Sequence, residues 1–167
     1  GLSTDWYDNG KKKREGTYKN GKKDGLVTSW YENGQKMFEG TYKDEKEDGL
    51  WTFWYENGQK EWERTYKEGG SYSLDGLETE WYENGQKRLE GTYKDGEKDG
   101  LWTEWYGNGQ KKSEETWKEG EFVSELDGLH TEWYENGQKE FEGIFKDGEY
   151  ISSKCWDEDG NECYCEY

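Results

Sequence analysis

Polar and apolar positions along this chain alternate in short blocks rather than in helical stripes. Leu101-Trp102-Thr103-Glu104-Trp105-Tyr106 is followed by a glycine-containing turn, then by Glu114 to Lys118, then by another turn, and the whole block recurs along the chain. The consensus unit reads G-L-W-T-E-W-Y-E-N-G-Q-K-x-x-E-G-T-Y-K-D-G-x-K-D. It holds two strand-length segments rich in Trp, Tyr and Thr, separated by Asn-Gly and Asp-Gly turn signals. Glycine falls every few residues and no 3.6-residue apolar stripe appears, so helix is not expected. The Trp of W-Y-E-N-G-Q-K stands at 6, 30, 54, 81, 105 and 133, and degenerately at 156, with spacings of 24, 24, 27, 24, 28 and 23. A fixed period of this size marks a repeat architecture. The expectation is an all-β fold: an elongated, single-layer antiparallel β-meander of about seven hairpins over residues 1–167, closed by a degenerate capping hairpin at 150–167.

Strand register follows from the turn. A two-residue Asn84-Gly85 loop would mix apolar and charged residues on both faces. A three-residue Glu83-Asn84-Gly85 loop with Gly in the left-handed position instead pairs Tyr82 with Gln86 and Thr79 with Leu89. On that register Leu77, Thr79 and Trp81 share a face with Leu89, Gly91 and Tyr93. The core is therefore expected to hold Trp6, Trp30, Trp54, Trp81, Trp105 and Trp133 with Tyr18, Tyr42, Tyr66 and Tyr93. Gly16, Gly40, Gly91 and Gly143 leave room for rings to lie across the backbone. The opposite, outer face should be mostly Glu, Lys, Thr and Gln.

Composition sharpens this picture. Only 28% of residues are apolar and 38% are charged, values that by themselves suggest disorder, but 11 Trp and 14 Tyr do not. The chain buries rings rather than aliphatics, and the absence of Pro suits strands that each keep their ladder donors. With 23 Lys plus Arg against 40 Asp plus Glu, the net charge is −17. A field of that sign repels nucleic-acid phosphates and anionic membranes, so any partner should be a basic or neutral protein, or another copy of the chain. It also serves simply to keep an aromatic-rich repeat in solution.

The motifs resemble the MORN repeat in its bacterial variant form, as at Glu90 to Gly109, and the resemblance spans nearly the whole chain. Proteins of that variant are commonly labelled antitoxins, and the broader family is associated with scaffolding, dimerisation and membrane-lipid contact. The resemblance implies a non-enzymatic binding or scaffolding module, antitoxin-like in one form. No catalytic residue belongs to the motif and no cofactor is implied. Two alternatives stand beside it: a structural protein that self-assembles through its open edge strands, and an aromatic cell-wall- or carbohydrate-binding repeat.

Binding candidates are the rings placed on the outer face, Trp51, Phe53, Tyr55, Trp102 and Tyr106, for which a second, minor aromatic row flanking itself is the other reading, and the loop rings Tyr72 and Phe122. The loops holding Tyr72 and Phe122 are the long ones, and they follow the two units in which the Gly of E-G-T-Y is replaced, by Arg64 and by Glu115. A local coupling between the lost Gly and its surroundings is one reading; loops extended for binding are the other. His130, the only histidine, stands where Trp51 and Trp102 stand in other copies, which suits a strand position better than a general base. The Asp-rich segment from Lys43 to Asp48 lacks EF-hand ligand spacing and intersperses Lys, so no metal is expected. Applying the three-residue loop to the last hairpin puts Cys155 opposite Cys163, a geometry for a cross-strand disulfide that leaves Cys165 for an intermolecular bridge; a reduced capping hairpin is the equal alternative while the compartment is open. The chain opens at Gly1 in mid-repeat, so an upstream segment is expected to have been removed. The compartment stays open between secreted, periplasmic and cytoplasmic.

Overall fold

The Tyr-Glu-Asn-Gly-Gln segment builds the same turn in each copy. The Tyr31 amide donates to the Gln35 carbonyl at 2.9 Å and the Gly34 amide to the Tyr31 carbonyl at 2.9 Å, with Gly34 at φ +94°. Tyr55 to Gln59 and Tyr106 to Gln110 repeat the first bond at 2.8 Å. This is the expected three-residue loop, closed by a Gly whose positive φ a side chain would resist.

The computed structural model describes residues 1–67, 74–122, 127–147 and 149–165, without the side chains of 121, 122 and 127. All regular structure among the described residues is strand, as the alternation predicts. Two compact units are present, Gly1–Gly85 and Gln86–Tyr167. The first is an antiparallel meander of β1 (Leu2–Trp6), β2 (Lys12–Lys19), β3 (Lys22–Trp30), β4 (Lys36–Lys43), β5 (Lys46–Trp54), β6 (Lys60–Tyr66) and β7 (Gly76–Trp81), each strand paired with the next. The second holds β8 (Lys87–Lys94), β9 (Glu97–Trp105), β10 (Lys111–Lys118), β11 (Glu121–Phe122), β12 (Asp127–Trp133), β13 (Lys139–Lys146), β14 (Glu149–Trp156) and β15 (Glu162–Cys163). Its strands also pair in chain order, except that β11 and β12 share one side of β10.

One residue past the turn the register departs from expectation. Trp30 pairs with Lys36, but Ser29 then pairs with Phe38 and Thr28 with Glu39, leaving Met37 as a one-residue bulge. The same slip occurs between Asp5 and Trp6, between Phe53 and Trp54, and between Glu132 and Trp133. A slip of one residue turns a strand's side chains to the opposite face. The second strand of each hairpin therefore turns the side expected of it toward the core, while the first strand turns its Leu-Thr-Trp side the other way, where the leucines and tryptophans stay partly open although Thr28, Thr52, Thr79, Thr103 and Thr131 are buried.

The core face is built on the residues in between. Trp51 and Trp102 are each only 3% exposed, and Val27 is nearly as deep. A Cβ at Gly40 would lie 2.1 Å from Trp51 Cδ2, and one at Gly91 would lie 2.1 Å from Trp102 Cδ2, so these rings rest directly on glycine backbone. Phe53 stacks on Trp62 with centroids 3.8 Å apart and on Phe38 at 5.2 Å; Tyr42 meets the Trp51 ring edge-on at 5.0 Å, and Tyr93 meets Trp102 at 5.1 Å. Tyr66 closes on Trp51 from the next strand, and the Tyr18 ring lies 3.6 Å from the space beside Gly16. Tyr18, Tyr42, Tyr66 and Tyr93 are themselves half-buried and lie on this ring-on-glycine face. The six repeat tryptophans, expected in the core, are not on it: Trp6 is 58% exposed, and Trp30, Trp54, Trp81, Trp105 and Trp133 are half-buried on the other face.

Candidate functional site

The face that was expected to be core presents an exposed leucine in every repeat. In the first unit Leu2, Leu26, Leu50 and Leu77 are between 53% and 68% exposed. In the second unit Leu101, Leu129 and Ile144 are similarly open. Each stands beside a small or β-branched partner, Leu2 by Thr17, Leu26 by Thr41, Leu50 by Thr65, Leu101 by Thr116 and Leu129 by Ile144. Within a unit, equivalent leucines two strands apart are separated by about 9.6 Å, twice the strand spacing. Each unit therefore carries an apolar row running across its strands.

The residues behind this row are already satisfied. Thr28 donates its hydroxyl to Glu39 at 3.0 Å, and Lys36 donates to the same carboxylate at 2.7 Å. Lys12 with Glu15, Lys60 with Glu63 and Lys87 with Glu90 repeat the ion pair, as do Lys111 with Glu114 and Lys139 with Glu142. Glu15 is held below the usual carboxylate range chiefly by its hydrogen bond from Lys12. Lys36 also lies 5.4 Å above the Trp54 ring, and Lys60 lies 5.4 Å above Trp81, a cation–π contact that covers the flank of each tryptophan. The face is thus close to neutral in a chain of net charge −17, and its open element is apolar.

The residues singled out from sequence are placed differently. Trp51, Phe53 and Trp102 do not form an exposed surface; the bulge turns them into the aromatic core. Tyr55 and Tyr106 act as ties between repeats, donating their hydroxyls to the carbonyls of Trp81 at 2.8 Å and of Trp133 at 3.0 Å. Desolvation is the main cause that raises the Tyr106 hydroxyl above its ordinary pKa. Tyr72 and the Phe122 side chain lie outside the described residues. The leucines were missed, although their recurrence at 2, 26, 50, 77, 101 and 129 was a visible signal.

The glycine lost at Arg64 has a direct structural reason. In the third repeat Arg64 takes the glycine's place and Glu78 takes the tryptophan's; the guanidinium lies 2.6 Å from the Glu78 carboxylate, which is almost wholly buried. An ion pair there replaces a ring on a glycine. In the fifth repeat Glu115 and His130 hold the same two places, and His130 Nε2 lies 3.0 Å from Glu132. That contact holds Glu132 below the usual carboxylate range, whereas burial raises Glu140 above it with the charges of Glu132 and Glu158 adding to the effect. Glu104, Glu115, Glu132 and Glu140 line a concavity of about 240 Å³ in this unit, with Lys112 bonded to Glu104 at 3.1 Å.

At the chain end, Cys155 does face Cys163 across the last hairpin, but the disulfide joins Cys155 to Cys165, with Cα atoms 5.3 Å apart. The Cys163 thiol is free and exposed. The pairing expected from register is thus corrected: Cys165, two residues on, also comes within reach of Cys155.

Repeating hairpins with a ring-on-glycine core and one open leucine each define a tandem β-hairpin repeat protein. A family model described as a MORN repeat variant matches residues 1–20, 23–44, 47–68, 74–95, 98–119 and 126–147, and the chain belongs to that family. Such repeats are generally protein- or membrane-binding modules. No curated protein matches the chain. The terminal hairpin from Glu149 onward lies beyond the six matches, in keeping with its degenerate motif.

Proposed function

We propose that this chain is a non-enzymatic protein-binding module that docks through the row of exposed leucines carried by each unit. The observation that supports this reading is the recurrence of a half-exposed Leu at one place in six repeats, backed by threonines and glutamates whose hydrogen bonds are made internally. Leaving so many large apolar side chains in water is unfavourable unless a partner covers them, since each fully buried Leu is worth roughly 2 kcal/mol. The acidity of the chain adds long-range attraction for a basic partner and repulsion of anionic headgroups. An antitoxin-like role, in which an acidic chain occludes a basic toxin, is one form of this activity.

The test uses the full chain with Leu26→Lys, Leu50→Lys and Leu77→Lys combined, beside a control carrying Glu32→Gln, Glu56→Gln and Glu83→Gln in the turns. Partners captured by the wild type should be lost from the leucine variant while its near-ultraviolet circular dichroism is unchanged. The turn variant should keep them with weaker salt dependence. Capture that survives the three lysines would remove the leucine row from the proposal.

A second reading, self-assembly, is supported by the same row. Two copies have equal leucine spacing, and their Lys–Glu pairs are neutral within each copy. Light scattering over a concentration series decides it: mass that grows with concentration and is abolished by the three lysines favours a second copy as the partner.

A further inference from the structure

The last hairpin brings one sulfur within bonding reach of two others. Cys155 on β14 is bonded to Cys165, yet its direct cross-strand neighbour is Cys163 on β15. Directly opposed residues of an antiparallel pair have Cα atoms about 4.5–5.5 Å apart, inside the range of roughly 4.4–6.8 Å that a disulfide spans. The bonded pair, at 5.3 Å, lies in the same range. Only Tyr164 separates the two competing cysteines, and it is 96% exposed, so exchanging one for the other displaces no packed side chain. Both lie at the rim of one open concavity with Ser153, Lys154 and Glu162, accessible to solvent.

We propose that this hairpin is a thiol–disulfide exchange site. The Cys163 thiolate attacks Cys155 Sγ, the Cys155–Cys163 bond forms, the Cys155–Cys165 bond breaks, and Cys165 leaves as a thiolate that takes up the proton Cys163 gave up. No oxidant or reductant is consumed, because one disulfide and one thiol are present before and after. The reactive thiol therefore moves between positions 163 and 165. In either isomer it is open to a disulfide-bearing partner, which it attacks by the same step: a mixed disulfide forms and the partner's second sulfur departs as a thiolate. The terminal hairpin thus offers a covalent attachment point separate from the leucine face.

The experiment follows the free thiol in the full, air-oxidised chain. Iodoacetamide is added either at once, after acid-quenched purification, or after incubation in mildly alkaline buffer, and labelled peptides are mapped by mass spectrometry. The label should start on Cys163 and spread, with about a tenth or more reaching Cys165 after incubation. Cys163→Ser should leave Cys165 unlabelled throughout, and Cys165→Ser should form the Cys155–Cys163 bridge on oxidation. A label confined to Cys163 at all times, labelling of all three cysteines, or a Cys165→Ser chain that stays reduced would each overturn the proposal.

Discussion

The side-chain amide of Asn33 donates to the main-chain carbonyl of Glu56 at 2.7 Å, while its own carbonyl oxygen accepts the Gln35 amide at 2.8 Å. One residue thus shapes its own turn and ties it to the turn of the next repeat. Asn9 reaches Glu32, Asn57 reaches Glu83, Asn108 reaches Glu135 and Asn136 reaches Glu158 in the same way. The neighbouring tyrosines run in parallel, with Tyr31 donating to the Trp54 carbonyl at 2.8 Å. Since each repeat contacts chiefly its neighbours, such ties carry the coupling between them.

Asn33→Ala should lower stability by about 1 kcal/mol through loss of these two exposed bonds. Urea denaturation followed by Trp fluorescence measures it. Asn33→Asp, which keeps the acceptor for the Gln35 amide but loses the donor to Glu56, should fall between wild type and Ala. An Asp variant as unstable as the Ala variant would place the whole effect in the tie between turns rather than in the turn itself.

Gly40→Ala should be among the most damaging small substitutions in the chain. The added methyl would sit 2.1 Å from the Trp51 ring, and overpacking of this kind costs about 3 kcal/mol. The first repeat shows the remedy: Gly16 faces Val27, and a Cβ there would meet Val27 Cγ2 at 3.5 Å, an ordinary contact. The double variant Gly40→Ala/Trp51→Val should therefore lose less than Gly40→Ala and Trp51→Val combined additively, a coupling read from a double-mutant cycle.

The hairpin period and the three-residue loop were legible because the Trp spacing and the Asn-Gly signal are local. The facing of the first strand was not. It depends in five hairpins on one bulged residue, Lys13, Met37, Glu61, Lys112 or Glu140, and these are long unbranched side chains of kinds common all along the chain, with no glycine or proline among them. With that residue uncounted, Trp30 and Trp54 were assigned to the core and Trp51 and Phe53 to the surface. The exchange of Gly40 and Trp51 for Arg64 and Glu78 was visible in sequence as a lost glycine. Its cause needed a contact between residues fourteen apart. The leucine row became recognisable as a candidate site only once the faces had been set.

Protonation should act with opposite signs at two carboxylates of the second unit. Glu132, depressed by its hydrogen bond with His130, contributes stability that is present above the ordinary carboxylate pKa and is lost as pH falls through its lower folded value. Glu140, raised by burial first and by Glu132 and Glu158 next, is destabilising when ionised at neutral pH. Glu140→Gln should therefore raise the thermal midpoint at pH 7 by a degree or so, on the order of a few tenths of a kcal/mol after solvent screening, and leave it unchanged at acid pH. Midpoints from calorimetry across the pH series test both signs.

Arg64→Ala removes the partner of an almost fully buried carboxylate. Glu78 keeps its place under the sheet face with the guanidinium gone, and leaving a buried charge unpaired costs about 3–5 kcal/mol. The neighbouring repeats supply a replacement chemistry, since Gly40 with Trp51 and Gly91 with Trp102 fill the equivalent space with a ring on bare backbone. Arg64→Gly with Glu78→Trp should accordingly recover most of the loss and approach or exceed wild-type stability, because replacing a buried ion pair with packed apolar groups is often neutral or favourable. Urea midpoints of the single and double variants decide the matter. If the double variant were no more stable than Arg64→Ala, the equivalence of the two pairings would fail, and the third repeat would owe its charged pair to some other demand of its surroundings.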